Sequence, residues 1–167
     1  MQQWVWEVCF PTGEYENNNG NDILFMENLL RGIEELGIAA HSPIEQRWTA
    51  SSSSLMSPAH GPANGLHTWV GIIMYLPSDD ETQRRQNTET FTGQYCDLLQ
   101  NVRTDLNATS LWAKLERPNS VMKLLRLQEF LSSRYPLAKF NETRASLDRN
   151  NILTSPVMNL ILGEPKK

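Results

Sequence analysis

HTWVGIIMYL, from His67 to Leu76, decides the fold. It is a short run of β-branched, aromatic and aliphatic residues with Gly65 before it and Pro77 after it. A run of this length and composition reads as a strand, and its near-continuous hydrophobicity predicts burial on both faces. Such a strand needs neighbours. QQWVWEVCF, from Gln2 to Phe10, supplies one: Trp4, Trp6 and Val8 alternate with Val5, Glu7 and Cys9, and Pro11-Thr12-Gly13 is placed to end it. IEQRWTA, from Ile44 to Ala50, reads as another.

Helices are read from the segments between and after these strands. Asp22 can cap a helix to about Leu36, with Met26, Leu29, Leu30, Ile33 and Leu36 at helical spacing and Gly37 as its stop; Gly32 weakens it slightly. Pro77 to Asp80 opens a helix predicted to run from Asp80 to Arg103, with Phe91, Tyr95, Leu98, Leu99 and Val102 as its core positions. Leu111 to Leu115 reads as a short strand. Pro118 starts a helix with a stripe of Val121, Leu124, Leu125, Leu127 and Leu131, which Pro136 stops. Lys123, Arg126 and Glu129 lie opposite that stripe, on a solvated face. Phe140 to Leu147 is a short helix, Asp148 to Asn151 a turn, Ile152 to Leu162 an apolar segment around Pro156, and Glu164 to Lys167 a polar tail. Glu14 to Asn21 is a polar loop, and Ser51 to Gly65 is a Ser/Pro/Gly loop long enough to suggest a functional or mobile segment. Strands and helices mix without a regular βαβ alternation. The class is α+β, a mainly antiparallel sheet flanked by helices, in one domain spanning residues 1–167.

Composition narrows the function. The chain has 167 residues, 40% of them hydrophobic, with a net charge of −4, which argues against a nucleic-acid partner. The longest apolar run, Val70 to Leu76, falls far short of the ~20 residues a membrane span needs. Cys9 and Cys96 make no disulfide framework and read as buried thiols. His41, His60 and His67 lack metal-ligand spacing. The sequons at Asn107 and Asn141 read as chance, because Met1 leads directly into a strand with no signal peptide. GxGxxG, GxxxxGK[ST] and GxSxG are all absent. The tryptophans Trp4, Trp6, Trp48, Trp69 and Trp112 fall on strand-like segments and read as core packing.

Several long stretches carry a family resemblance: PIEQRWTA (Pro43 to Ala50), Ser57-Pro58-Ala59, WVGIIMYLP (Trp69 to Pro77), WAKLE (Trp112 to Glu116), and Phe140-Asn141 through Leu147-Asp148 to Asn151-Ile152-Leu153. In these the chain, from Trp4 to about Leu162, resembles the aldonolactone oxidase-type flavoenzymes of the vanillyl-alcohol oxidase fold, the L-galactono-1,4-lactone dehydrogenases in particular. The resemblance covers their C-terminal, substrate-side (cap) half; their FAD-binding half lies N-terminal to it.

The resemblance implies a mitochondrial setting, ascorbate synthesis and electron transfer from FAD to cytochrome c. It also implies a link to respiratory complex I, because plant members take part in building that assembly. It places Glu45 and Arg47 in a substrate pocket beside the flavin, with Lys114 stabilising negative charge near the flavin ring. Glu45 and Arg47 are two apart on a strand and so share a face. A carboxylate beside a guanidinium makes a charge-assisted pair able to hold sugar hydroxyls or a lactone carbonyl; the plain alternative is a surface pair worth under ~1 kcal/mol. Leu111 stands where the family usually has His, and Arg149 where it usually has Pro.

Three readings follow. In the first, the chain is a non-catalytic structural or assembly subunit of mitochondrial complex I, peripheral to the inner membrane. In the second, it is half of a split enzyme whose FAD is held by a separate FAD-binding chain. In the third, it is a truncated dehydrogenase. The chain alone is expected neither to bind FAD tightly nor to oxidise the lactone. Ile152, Leu153, Val157, Met158, Leu160, Ile161 and Leu162 are expected to lie partly exposed until a protein partner covers them.

Overall fold

A computed structural model describes residues 2–104, 106–114, 118 and 120–163. The sheet is built around β4 (Gly65–Leu76), which pairs antiparallel with β1 (Gln2–Glu14) on one side and with β3 (His41–Ala50) on the other. A two-residue strand, β2 (Asn17–Asn18), folds back on the end of β1, giving the order β2-β1-β4-β3; β5 (Thr109–Ser110) also pairs with β1. The α+β class and the antiparallel sheet are as read from the sequence.

β1 does not end at Pro11. It carries on to Glu14 through a register shift between Pro11 and Glu14. The irregularity removes the conflict that a proline brings to a regular ladder. Gly13 adopts φ +97°, and a Cβ there would stand 2.3 Å from the Asn17 carbonyl oxygen, so this turn needs glycine.

One face of the sheet, with Val8, Phe10, Val70, Ile72 and Met74, forms the main core against α1 (Asn21–Leu36) and α3 (Cys96–Thr104). Phe10 stacks on Phe25 at 4.6 Å. The buried stripe of α1 is Phe25 and Leu29, with Met26 and Ile33 partly covered, while Leu30 and Leu36 are exposed. The helix is rotated from the expected stripe because Phe25 is drawn onto Phe10. Asp22 is not a cap; Gly20 holds that position without a side-chain bond. Asp22 is instead buried, and its Oδ2 accepts from Trp48 Nε1 at 3.0 Å and Asn18 Nδ2 at 3.2 Å, tying the helix start to the edge strand β3. Gly37 ends the helix in the left-handed conformation, as its position predicts.

The long central helix is present in pieces. Asp80 caps α2 (Glu81–Glu89) by accepting from the Gln83 N–H. A wider π-type turn over Thr90–Tyr95 then leads into α3. Phe91, Tyr95, Leu98 and Leu99 are buried as predicted.

The C-terminal helices α4 (Val121–Arg134), α5 (Leu137–Leu147) and α6 (Pro156–Leu162) enclose a second cluster of Leu131, Tyr135, Ile161 and Leu162. Three expectations change here. Leu111–Leu115 is not a strand: β5 precedes it, Trp112–Lys114 is a 3-10 turn, and Leu115 lies outside the described residues. Of the α4 stripe only Leu131 is buried, and Val121 and Leu125 face solvent. Ile161 and Leu162 are covered by the chain's own helices, whereas Ile152 and Leu153 are 74% and 88% exposed. Trp4 and Trp48 are likewise exposed rather than core. The polar tail lies outside the described residues.

Among the described residues the buried Tyr95 hydroxyl has no hydrogen-bond partner. An unpaired buried hydroxyl costs ~1–3 kcal/mol, so Tyr95→Phe should raise thermal stability by about 1 kcal/mol. Denaturant unfolding of both proteins checks this, and a loss of stability would contradict the placement.

Candidate functional site

The second face of the sheet is set by register. Glu7 and Glu45 both lie opposite Gly71, on either side of it; Cys9 and Arg47 flank Trp69 in the next row; Pro11 and Thr49 flank His67 beyond that. Opposed residues in an antiparallel pair share a face, so Glu7, Glu45, Arg47, Gly71 and Trp69 form one continuous strip. β4 is covered on both faces only from His67 to Val70; Gly71, Ile73 and Tyr75 are half-buried, which corrects the expectation of burial throughout.

Glu45 and Arg47 share the face, as their spacing requires, but they are not each other's partners. Arg47 donates from Nε at 2.9 Å and from NH2 at 2.6 Å to Glu7 Oε1. Its guanidinium carbon sits 4.7 Å from the Trp69 ring centre, and the Trp69 Nε1 donates to Thr49 Oγ1 at 2.8 Å. Residues two apart on one strand are separated by ~7 Å along it, whereas a side chain leaning across the bare Gly71 position reaches Arg47 directly. Glu45 stays exposed. The alternation of Glu7 with Val5 and Cys9 places it on this face, but nothing in the local sequence marks it as a site residue. Lys114 ends the 3-10 turn, and its side chain lies outside the described residues. Leu111 borders the strip: its N–H donates to the Glu7 carbonyl at 3.0 Å, and its side chain packs with Cys9, Ala59 and Trp69.

The loop from Ser51 to Gly65 covers the other end of this face and is strapped down. Arg134 from α4 donates to the His60 carbonyl at 3.2 Å and the Pro58 carbonyl at 3.0 Å, and Trp112 Nε1 donates to the Met56 carbonyl at 2.7 Å. Beneath it His67 is 2% exposed, with Nδ1 3.2 Å from Ser51 Oγ. Burial, with the Arg134 charge and His60 nearby, pushes the His67 pKa down to about 4, so it is neutral at pH 7. Burial pushes the Cys9 thiol up to about 12, which keeps it protonated and poorly nucleophilic. Tyr135, also raised by burial, shares a 2.8 Å hydrogen bond with Thr109 Oγ1. Among the described residues no group of three His, Cys, Asp or Glu side chains could hold a metal ion, and no helix is long and apolar enough to cross a membrane.

This sheet, with its polar strip and strapped loop, belongs to the D-arabinono-1,4-lactone oxidase family, whose model matches residues 3–160. Similar proteins include L-galactono-1,4-lactone dehydrogenase 1, mitochondrial, of Oryza sativa subsp. japonica, which is 43% identical over 155 residues (92% of this chain and 27% of the relative). The L-galactono-1,4-lactone dehydrogenase, mitochondrial, of Brassica oleracea is 44% identical over 156 residues (92% and 26%). The Arabidopsis thaliana protein of the same name is 42% identical over 156 residues (92% and 25%). The chain thus spans about a quarter of the length of these relatives.

His67 gives a pH test. Its pKa is lower folded than unfolded, so folding expels a proton; the stabilisation is complete above the unfolded value of about 6.5 and is lost as pH falls toward 4. Thermal unfolding between pH 7 and 4 should therefore show a falling midpoint whose slope is shallower in His67→Gln. Equal slopes would contradict the burial of a neutral His67 under the loop.

Proposed function

We propose that the strip formed by Glu45, Arg47 and Gly71 binds an aldonolactone, L-galactono-1,4-lactone first, as the substrate side of a mitochondrial, FAD-dependent lactone dehydrogenase of the ascorbate-forming kind. In this reading the sheet is the cap of a vanillyl-alcohol oxidase-type fold. The single observation behind it is Arg47, oriented by Glu7 and Trp69 yet 46% exposed in its side chain. A guanidinium so placed donates to a lactone carbonyl or ring oxygen, and the exposed Glu45 carboxylate accepts from sugar hydroxyls.

The described residues do not fit a site for the flavin dinucleotide. They contain no GxGxxG or GxxxxGK[ST] cradle for a pyrophosphate. The redox chemistry belongs to the cofactor. It would come from a FAD-binding portion outside this sequence, with cytochrome c as electron acceptor. The chain's own part is to bind and orient the lactone. Leu111, where the resemblance predicts His, leaves the strip without one polar group.

A second reading is favoured by the exposure of Val121, Met122, Leu125, Leu147, Ile152 and Leu153. Large apolar side chains open to water suit a covered interface. The partner that the family resemblance offers for such a face is respiratory complex I, in a structural or assembly role peripheral to the inner membrane.

Isothermal titration of the purified chain with L-galactono-1,4-lactone tests the first reading. Binding should be measurable and should weaken about tenfold or more in Arg47→Gln, since losing a charge-assisted hydrogen bond costs ~1.5–3 kcal/mol. No binding, or equal binding by the variant, would overturn it. Native electrophoresis with mass spectrometry addresses the second: co-migration with complex I subunits supports it, and a free species contradicts it.

A further inference from the structure

We infer that Glu7 is the positioning residue for Arg47, holding the guanidinium for a ligand and keeping it away from Glu45. The inference rests on the lactone-binding reading and deepens it.

Glu7 and Arg47 come from strands that do not touch. β4 lies between them, and neighbouring strands are ~4.8 Å apart, so the two backbones are separated by roughly 10 Å. The pair closes only by passing over β4: Glu7 leans beside Gly71, where β4 has no side chain, and the Arg47 guanidinium lies on the Trp69 ring. A Cβ at Gly71 would stand 3.8 Å from the Glu45 Cβ and 4.0 Å from the Glu7 Cγ. A methyl group fits there; a branched side chain would fill the path. One carboxylate oxygen of Glu7 takes both Nε and NH2 of Arg47, and Trp69 lies against the guanidinium at 4.7 Å. The NH1 donors keep no partner among the described residues.

A purely structural role accounts poorly for this arrangement. The Arg47 side chain is 46% exposed, and ion pairs with that much solvent add little to stability. What the pair does fix is geometry. Arg47 has two carboxylates within its reach on one face, Glu7 across the sheet and Glu45 two residues back on its own strand. By taking Arg47, Glu7 leaves Glu45 free to accept hydroxyl donors and leaves NH1 free to donate. The fork is thus ordered before the ligand arrives, so less freedom is lost on binding.

The test reads Arg47 directly. The Arg47 side-chain Nε–Hε resonance, assigned by its loss in Arg47→Lys, is followed by 15N relaxation in the wild-type chain, in Glu7→Gln and in Gly71→Val. Lactone affinity is titrated in parallel. Glu7→Gln keeps the side-chain shape and Gly71→Val keeps both charges, so a shared loss of Arg47 rigidity isolates the bridge. Lactone affinity is compared in Glu7→Gln alone, because Gly71 belongs to the binding strip itself and its Cβ position lies 3.8 Å from the Glu45 Cβ. The wild-type signal should be rigid and slow to exchange, both variants should lose that rigidity, and lactone affinity should fall about tenfold in Glu7→Gln. A signal that stays rigid in Glu7→Gln overturns the inference. So does unchanged lactone affinity in Glu7→Gln when Arg47→Gln binds more weakly than wild type. If the wild-type chain binds no lactone, the substrate reading fails by itself, and the Arg47 signal alone decides for or against Glu7.

Discussion

The double pairing of β4 is the constraint on which the rest of the chain depends. Once β4 is flanked by β1 and β3 in fixed antiparallel register, every side chain on the three strands is assigned a face. Val70, Ile72 and Met74 go to the helices with Val8 and Phe10. Glu7, Trp69, Gly71, Glu45 and Arg47 go to the other side together. A one-residue slip would bury the charges and expose the core, and so the hydrophobic pattern that builds the fold also holds the polar strip in place.

The two faces are closed by different means. The core face is shut by apolar contact with α1 and α3, anchored by Phe10 on Phe25 and by the hydrogen bond from the exposed Trp48 to the buried Asp22. The polar face is shut only at one end, by the Ser51–Gly65 loop. That loop is held by Arg134 and Trp112 through its carbonyl groups and by the packing of Met56 and the buried Ala59. Gly71, Ile73 and Tyr75, half-buried on that face, are left with access for a ligand or a neighbouring surface.

Much of this is legible in the sequence, and the exceptions have physical reasons. The three long strands announce themselves by alternation and β-branched content, and the Pro77–Asp80 helix start by its acidic first turn. Pro11 misleads because a proline in a strand is tolerated where the ladder is irregular. Asp22 misleads because a carboxylate at a helix start suits a cap as well as it suits a distant indole N–H, and only Trp48 decides. The α1 stripe misses Phe25 because two overlapping helical faces are apolar and the aromatic partner on β1 selects one. For the site, spacing puts Glu45 and Arg47 on one face but cannot say which carboxylate the arginine takes. That depends on which strand lies across Gly71, a long-range fact that no local pattern contains.

A crystal structure of the chain grown with L-galactono-1,4-lactone tests the central claim most directly. The account predicts the lactone seated against the exposed side of the Arg47 guanidinium, with Arg47 donating to a ring or carbonyl oxygen and Glu45 accepting from hydroxyls. A lactone seated elsewhere with this strip bare would contradict it.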